Sequence, residues 1–296
     1  MATPNLSGNI YDIYQVKKSS KVIQVIIWIF LFIWAVINLF PLYWMFTFSL
    51  KDNKQILTTN KFGLPNGWPD KWFWSNYKKA MEVGNIGRYF ANSLIVTACA
   101  IVLTIVAATM ATYAITRIKW KLSDATNKLF MLGITIPIQA SIIPVFLILK
   151  KFEMLDSYIA LIIPYAAFAL AMAILIITGF MTEIPKDLDE AAYIDGCGRA
   201  KVFFSIIVPL MKPAAATASI YTFLQCWNEL MFAQTFNTRQ EIMTLPAGIQ
   251  QLTGSFTVEW GPIGAALALA TFPTVIIYIL LSKRIQESFI AGAIKG

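Results

Sequence analysis

The sequence predicts an all-α membrane protein with six transmembrane helices, and three observations predict it. Of 296 residues, 57% are hydrophobic and 14% charged, with a mean hydropathy of +0.63, whereas soluble domains sit near ~45–50% and ~25%. A soluble protein of this composition would expose far too much apolar surface, and a disordered chain would lack the hydrophobic residues found here. Six stretches are each long enough to cross a ~30 Å hydrocarbon core at 1.5 Å per residue. Together they hold 145 residues but one acid or base, Glu229, although the chain average would place about 20 there.

In order, the spans fall at 22–48, 89–116, 129–149, 158–181, 213–235 and 261–282. Lys17, Lys18 and Lys21 precede the first, as in a signal peptide. Its apolar stretch exceeds the ~7–15 residues of such a segment, however, and no small-residue cleavage site follows, so it is expected to persist as a helix bent near Pro41. The spans divide the chain into an N-terminal segment 1–21, a loop 49–88, a membrane core 89–282 and a tail 283–296. The 49–88 loop is rich in Trp, Lys and Pro, and its cluster Trp72, Phe73, Trp74 reads as an interfacial anchor. Small residues recur in the later spans, such as Ala166, Ala169 and Ala173, Ala214 and Ala218, and Gly261, Gly264 and Ala265. In lipid such faces mark close helix–helix contact.

An even number of spans puts both termini on one side. If that side is cytoplasmic, segments 1–21, 117–128, 182–212 and 283–296 carry 14 Lys/Arg and the outer segments 10, seven of them in 49–88. The excess favours cytoplasmic termini.

Several chemistries are excluded or left without tools. With no histidine there is no imidazole relay, no His metal site and no Ser-His or Cys-His pair. Cys99, Cys197 and Cys226 are odd in number and far apart, so they read as small hydrophobes. No phosphate-binding loop is present, and Gly196-Cys197-Gly198 lacks the third glycine and the preceding strand of a dinucleotide site. No catalytic residues or metal ligands emerge, and nothing points to nucleic acid. The spans hold no paired carboxylates for proton coupling, so any uphill transport must draw its energy from a partner.

The 182–212 loop reads as two short helices. Pro185 suits a first turn, Asp187, Asp189 and Glu190 lie at the positive end of the helix dipole, and Gly196 suits a left-handed C-terminal cap. Leu188, Ala191 and Ala192 are expected to share one shallow face. The second piece carries Phe203, Phe204 and Ile207 before Pro209 and Pro213. Such a hairpin fits either the membrane surface or a socket on another protein.

Here the sequence resembles a known family. Glu190-Ala191-Ala192, Asp195-Gly196, Phe203, Ile207, Pro209-Leu210 and Pro213 are similar to the EAA loop of ABC importer permeases, with Cys197 where alanine is common. Trp227-Asn228-Glu229 and the C-terminal Gly292-Ala293-Ile294-Lys295-Gly296 resemble its carbohydrate-uptake branch. The resemblance implies a type I permease fold in a prokaryotic cell membrane and a translocation pathway shared with a second, homologous permease. It further implies two cytoplasmic ATPases that bind ATP and Mg, an extracytoplasmic solute-binding protein, and no cofactor in this chain.

By the same resemblance Glu190, Ala191, Ala192, Asp195 and Gly196 form a coupling helix that docks on an ATPase. Gly292, Lys295 and Gly296 reach between the ATPases. Gln250, Gln251, Thr253, Gly254, Ser255 and Phe256 approach the solute-binding protein. Asn228 and Glu229 are candidates for the pathway. By helical rise Glu229 lies about 24 Å from the inner surface, where it should face the bundle interior and be hydrogen-bonded or stay protonated; Asn228, Trp227 and Gln225 are adjacent donors. The competing reading is a self-sufficient carrier or channel, which one intramembrane carboxylate and no histidine disfavour. The substrate expected from the resemblance is an oligosaccharide; a net charge of +4 in loop 49–88 leaves an anionic solute open.

Overall fold

The computed structural model describes residues 21–118, 120–253 and 258–293, with side chains through residue 280. Among the described residues, four helices are long and apolar enough to cross a membrane: α1 (Lys21–Ser49), α3 (Ile86–Thr116), α6 (Ile159–Met181) and the first part of α13 (Trp260–Ala293). Two bent pairs raise the number to six if each is one span. Pro41 lies inside an unbroken α1.

The third expected span, 129–149, is not one straight helix. It consists of α4 (Ser123–Gly133) and a second arm of Ile138–Lys151, a 3₁₀ turn leading into α5 (Ile142–Lys151), bent by 97°. Pro137 explains the break, since it lacks an N–H and drives the preceding residue away from helical backbone. The second bent pair joins Arg199–Leu210 to Lys212–Trp227 at 70°, so its bend lies just before the expected fifth span. The fifth, 213–235, is itself interrupted. Helix α10 (Lys212–Trp227) ends at Asn228, and α11 (Met231–Phe236) restarts after it. Asn228 Nδ2 donates to Leu224 O at 2.9 Å, a local bond that competes with helix continuation. The last helix runs to Ala293, well beyond residue 282, so the expected tail begins as helix.

Loop 49–88 is folded rather than irregular. It contains a π-helical turn (Gln55–Thr59) and α2 (Ser75–Glu82). Lys51 is fully buried, and its Nζ donates to Asn60 O at 2.9 Å and Lys61 O at 3.4 Å; burial lowers its pKa from the ordinary lysine value. Asn76 Nδ2 bridges Ser49 O and Lys51 O at 2.8 and 2.9 Å. The rings of Trp72 and Trp74 stack at 6.5 Å, and Trp74 stays exposed.

Small residues let the helices approach closely. Ala100 and Ala108 of α3, Ala160 and Ala173 of α6, and Ala214 and Ala218 of α10 have no exposure, and these helices form the centre of the bundle. A first core gathers Tyr113, Ile177, Met181, Ala192, Phe203 and Ile207; two further cores form around Phe232 and Trp227. The N-terminal and middle parts of α1 are exposed, and its C-terminal end packs on α13. Contact there depends on glycine: a Cβ on Gly264 would meet the Phe48 ring at 2.4 Å, and one on Gly261 would meet Lys51 O at 2.7 Å.

Candidate functional site

The end of the bundle where α3 finishes carries α7 (Asp187–Ile194), followed by α8 (Arg199–Val202), a π-helical turn (Phe203–Ile207) and α9 (Val208–Leu210). The three acids of the sequence motif fall in the first turn of α7, but they do not share one environment. Asp189 and Ala192 are buried against the bundle, whereas Glu190, Ala191, Asp195 and Gly196 are exposed. Leu188 is also exposed, so the expected common face of Leu188, Ala191 and Ala192 is split, with Ala192 alone turned inward. The reason is periodicity. Asp189 and Ala192 are three apart and lie over the core around Tyr113 and Phe203, which leaves the intervening residues outward.

Gly196 ends α7 as expected. Its φ is +79°, Cys197 N donates to Ala192 O at 2.9 Å and Gly196 N to Tyr193 O at 3.0 Å. This 6→1 and 5→2 pairing is a Schellman cap, which favours glycine at that position. A Cβ there would meet nothing within 4 Å, so the side facing away from the chain is open.

Beneath α7, Arg117 Nη1 lies 3.3 Å from Asp189 Oδ2, and the two side chains are 3% and 9% exposed. Arg117 Nη2 donates to Met181 O at 2.9 Å and Ile184 O at 2.6 Å. The hydroxyls of Tyr113 and Tyr193 are 3.4 Å apart, and the Tyr113 ring packs on Phe203 at 5.0 Å.

In the interrupted fifth span Glu229 sits at the break. Its Oε1 accepts from Phe232 N at 2.8 Å, and its Oε2 accepts from Ala233 N at 3.2 Å and Tyr165 OH at 2.6 Å. The carboxylate thus caps α11 and ties it to α6; the expected hydrogen bonding is present, through Tyr165 and two amides rather than through Gln225 or Trp227. Glu229 also lines a cavity of about 180 Å³ with Phe168, Tyr221 and Gln225, in which Gln225 Nε2 donates to Tyr221 OH at 2.7 Å. Asn228 faces a different cavity, of about 430 Å³, which Gln250 also lines. The two pathway candidates therefore open on separate spaces.

At the opposite end of the bundle, where α3 begins, Gln250, Gln251 and Thr253 lie in α12 (Leu245–Thr253) and are exposed. Gly254, Ser255 and Phe256 lie outside the described residues, as do Lys295 and Gly296; Gly292 lies in the last turns of α13. Helix α12 rests on α3. Ser93 Oγ accepts from Leu245 N at 2.7 Å, and Asn92 Nδ2 donates to Glu241 O and Met243 O at 2.9 and 2.8 Å. Nearby, Asp156 joins the α5–α6 turn to the following loop by accepting from Thr238 N at 2.6 Å and Arg239 N at 3.1 Å. Desolvation would raise its pKa, but these bonds outweigh it and hold the carboxyl below the ordinary aspartate value.

Arg117, Tyr165, Asn92 and Ser93 were missed by sequence reasoning. Asn92-Ser93 had a signal, an adjacent polar pair inside an apolar span. Arg117 looked like a flanking cation, and only its distance to Asp189 marks it. Among the described residues no group of three His, Cys, Asp or Glu could hold a metal.

Residues 100–290 match the family described as binding-protein-dependent transport system inner membrane component. The chain belongs to this family. As such it is a multi-pass transport permease of the ABC importer class. It is 33% identical over 257 residues to the diacetylchitobiose uptake system permease protein DasC of Streptomyces coelicolor, covering 87% of this chain and 92% of that one. To the trehalose/maltose transport system permease protein MalG of Thermococcus litoralis it is 32% identical over 266 residues, 88% and 93% of the two chains. The fold of this permease is similar to a chain in the crystal structure of a bacterial ABC transporter involved in the import of the acidic polysaccharide alginate. The TM-score is 0.79 at 20% identity, over 90% of this chain and 98% of that one.

Proposed function

We propose that this chain is one of two homologous permease subunits of an ATP-driven carbohydrate importer. In this reading two cytoplasmic ATPases bind ATP and Mg, a solute-binding protein delivers the sugar from outside, and both termini of this chain are cytoplasmic. The names of DasC and MalG, which specify diacetylchitobiose and trehalose/maltose, support a carbohydrate cargo. The observation that carries the coupling role is the outer face of α7. Glu190, Ala191, Asp195 and Gly196 stand exposed on a helix whose opposite side is pinned into the bundle. Short side chains allow another protein close to the backbone, and Glu190 offers a charge for a basic group.

The tail residues Gly292, Lys295 and Gly296 would reach the ATPases. Gln250, Gln251, Thr253, Gly254, Ser255 and Phe256 would meet the binding protein, and the cavities at Asn228 and Glu229 would border the pathway. Glu190→Lys and Gly196→Asp test the reading. Both change exposed groups, so the variants should insert normally and lose ATP-driven uptake by cells expressing the whole transporter. Wild-type uptake by both variants would reject α7 as the coupling surface.

A further inference from the structure

A buried arginine holds α7 to two spans at once. The Arg117 guanidinium emerges just beyond the inner end of α3, reaches the last carbonyl of α6 through Met181 O, takes Ile184 O in the connection that follows, and meets Asp189 of α7. Beyond that ion contact, Arg117 Nη1 and Asp189 Oδ1 have no hydrogen-bond partner among the described residues. Each charge is therefore neutralised by the other. Separating them would strand two charges in a nearly water-free place, which is far costlier than breaking an exposed pair. Lysine would not reproduce the arrangement, because the guanidinium uses two nitrogens, Nη2 for the two carbonyls and Nη1 against the carboxylate, whereas an ammonium has a single nitrogen for all three. The sequence puts Arg117 and Asp189 72 positions apart, and the fold brings them together.

We propose that Arg117 is a positioning residue that locks α7 to the inner ends of α3 and α6, so that a displacement imposed on α7 moves both spans as one body. This rests on the reading of α7 as the surface that meets an ATPase. Tyr113, which packs on Phe203 and approaches Tyr193, extends the same junction to the segment leading into α10. The exposed part of α7 receives the motion, and the buried ion pair passes it on.

The test uses the whole transporter, expressed with its partner subunits, in a background with Cys99, Cys197 and Cys226 replaced by alanine. Nitroxides are placed at Lys186→Cys, beside α7, and Val102→Cys on α3, both exposed. Double electron–electron resonance reads their separation before and after trapping with Mg·ATP and vanadate. With Arg117 and Asp189 intact the separation stays constant on trapping. With Asp189→Asn or Arg117→Lys it shifts by about 2 Å or more, the scale of a helix sliding free of its neighbour, while the ATPases still co-purify. A shift in the parent complex, or constancy in both variants, overturns the lock. Loss of the ATPases from both variants also overturns it, because the pair would then build the docking surface rather than transmit motion. A parent complex that traps no nucleotide rejects the importer reading itself.

Discussion

Glu229 offers the sharpest stability prediction. Replacing it with alanine removes the acceptor of three hydrogen bonds, at 2.8, 3.2 and 2.6 Å, and strands the Phe232 and Ala233 amides and the Tyr165 hydroxyl. At about 1 kcal/mol for each net bond the loss is about 3 kcal/mol; at the ~0.6 kcal/mol average of side-chain bonds within membrane bundles it is about 2. Tyr165→Phe removes one of the three and costs about 0.6–1 kcal/mol by the same reckoning. Glu229→Gln keeps one carbonyl acceptor and falls between. The assay is equilibrium unfolding in mixed micelles, paired with amide hydrogen exchange at residues 232 and 233. Both amides should lose protection in Glu229→Ala and keep it in Tyr165→Phe. If the alanine variant unfolds within about 0.5 kcal/mol of Tyr165→Phe, or those amides stay protected, Glu229 is not the cap of α11, and a free carboxylate in the pathway becomes the better account.

Asp156 should make the outer loop pH-dependent. Because its folded pKa is below the unfolded value, its contribution is complete above the ordinary aspartate pKa of ~3.9 and disappears as pH falls through the lower, folded pKa. Exchange protection at Thr238 and Arg239 should follow that acid limb, and Asp156→Asn should remove the dependence. Gly248→Ala should destabilise by about 1–3 kcal/mol, because a Cβ there would lie 2.0 Å from the buried Tyr89 ring; an unchanged melting temperature would show that α12 does not rest on α3. Gly196→Val should destabilise the α7 turn more than Gly196→Asn, since φ is +79° in open space and asparagine tolerates that region. Equal melting of the two would count against the Schellman cap.

The long helices were legible because apolar length is a one-dimensional property. Four expected spans coincide with continuous helices within a few residues, except that α13 runs on past its apolar stretch. The two broken spans were not legible as broken. Hydropathy sums over a window and is blind to the backbone inside it, so 129–149 and 213–235 read as continuous spans although the first bends by 97° and the second is interrupted between Trp227 and Met231. The signals for the breaks were present, in Pro137 for one and in Asn228-Glu229 for the other. Prolines at 41, 164 and 273, however, sit inside unbroken helices. Proline removes one hydrogen bond; whether the helix then turns depends on neighbours that can satisfy the freed groups.

The motif at 187–196 shows a different limit. Its outward residues could be read because an exposed helix carries its pattern locally, in Glu190, Ala191 and a glycine that needs positive φ. Asp189 stands next to Glu190 in sequence, yet its carboxylate is buried against Arg117 while Glu190 faces out. Nothing in a row of three acids says which one turns inward. That choice is made by α3 and α6, whose ends place a guanidinium under one turn of α7 and nowhere else along it. An exposed helix face can therefore be read from its own neighbourhood, but a buried ion pair is defined by both of its members, and the pair exists only once the chain has folded.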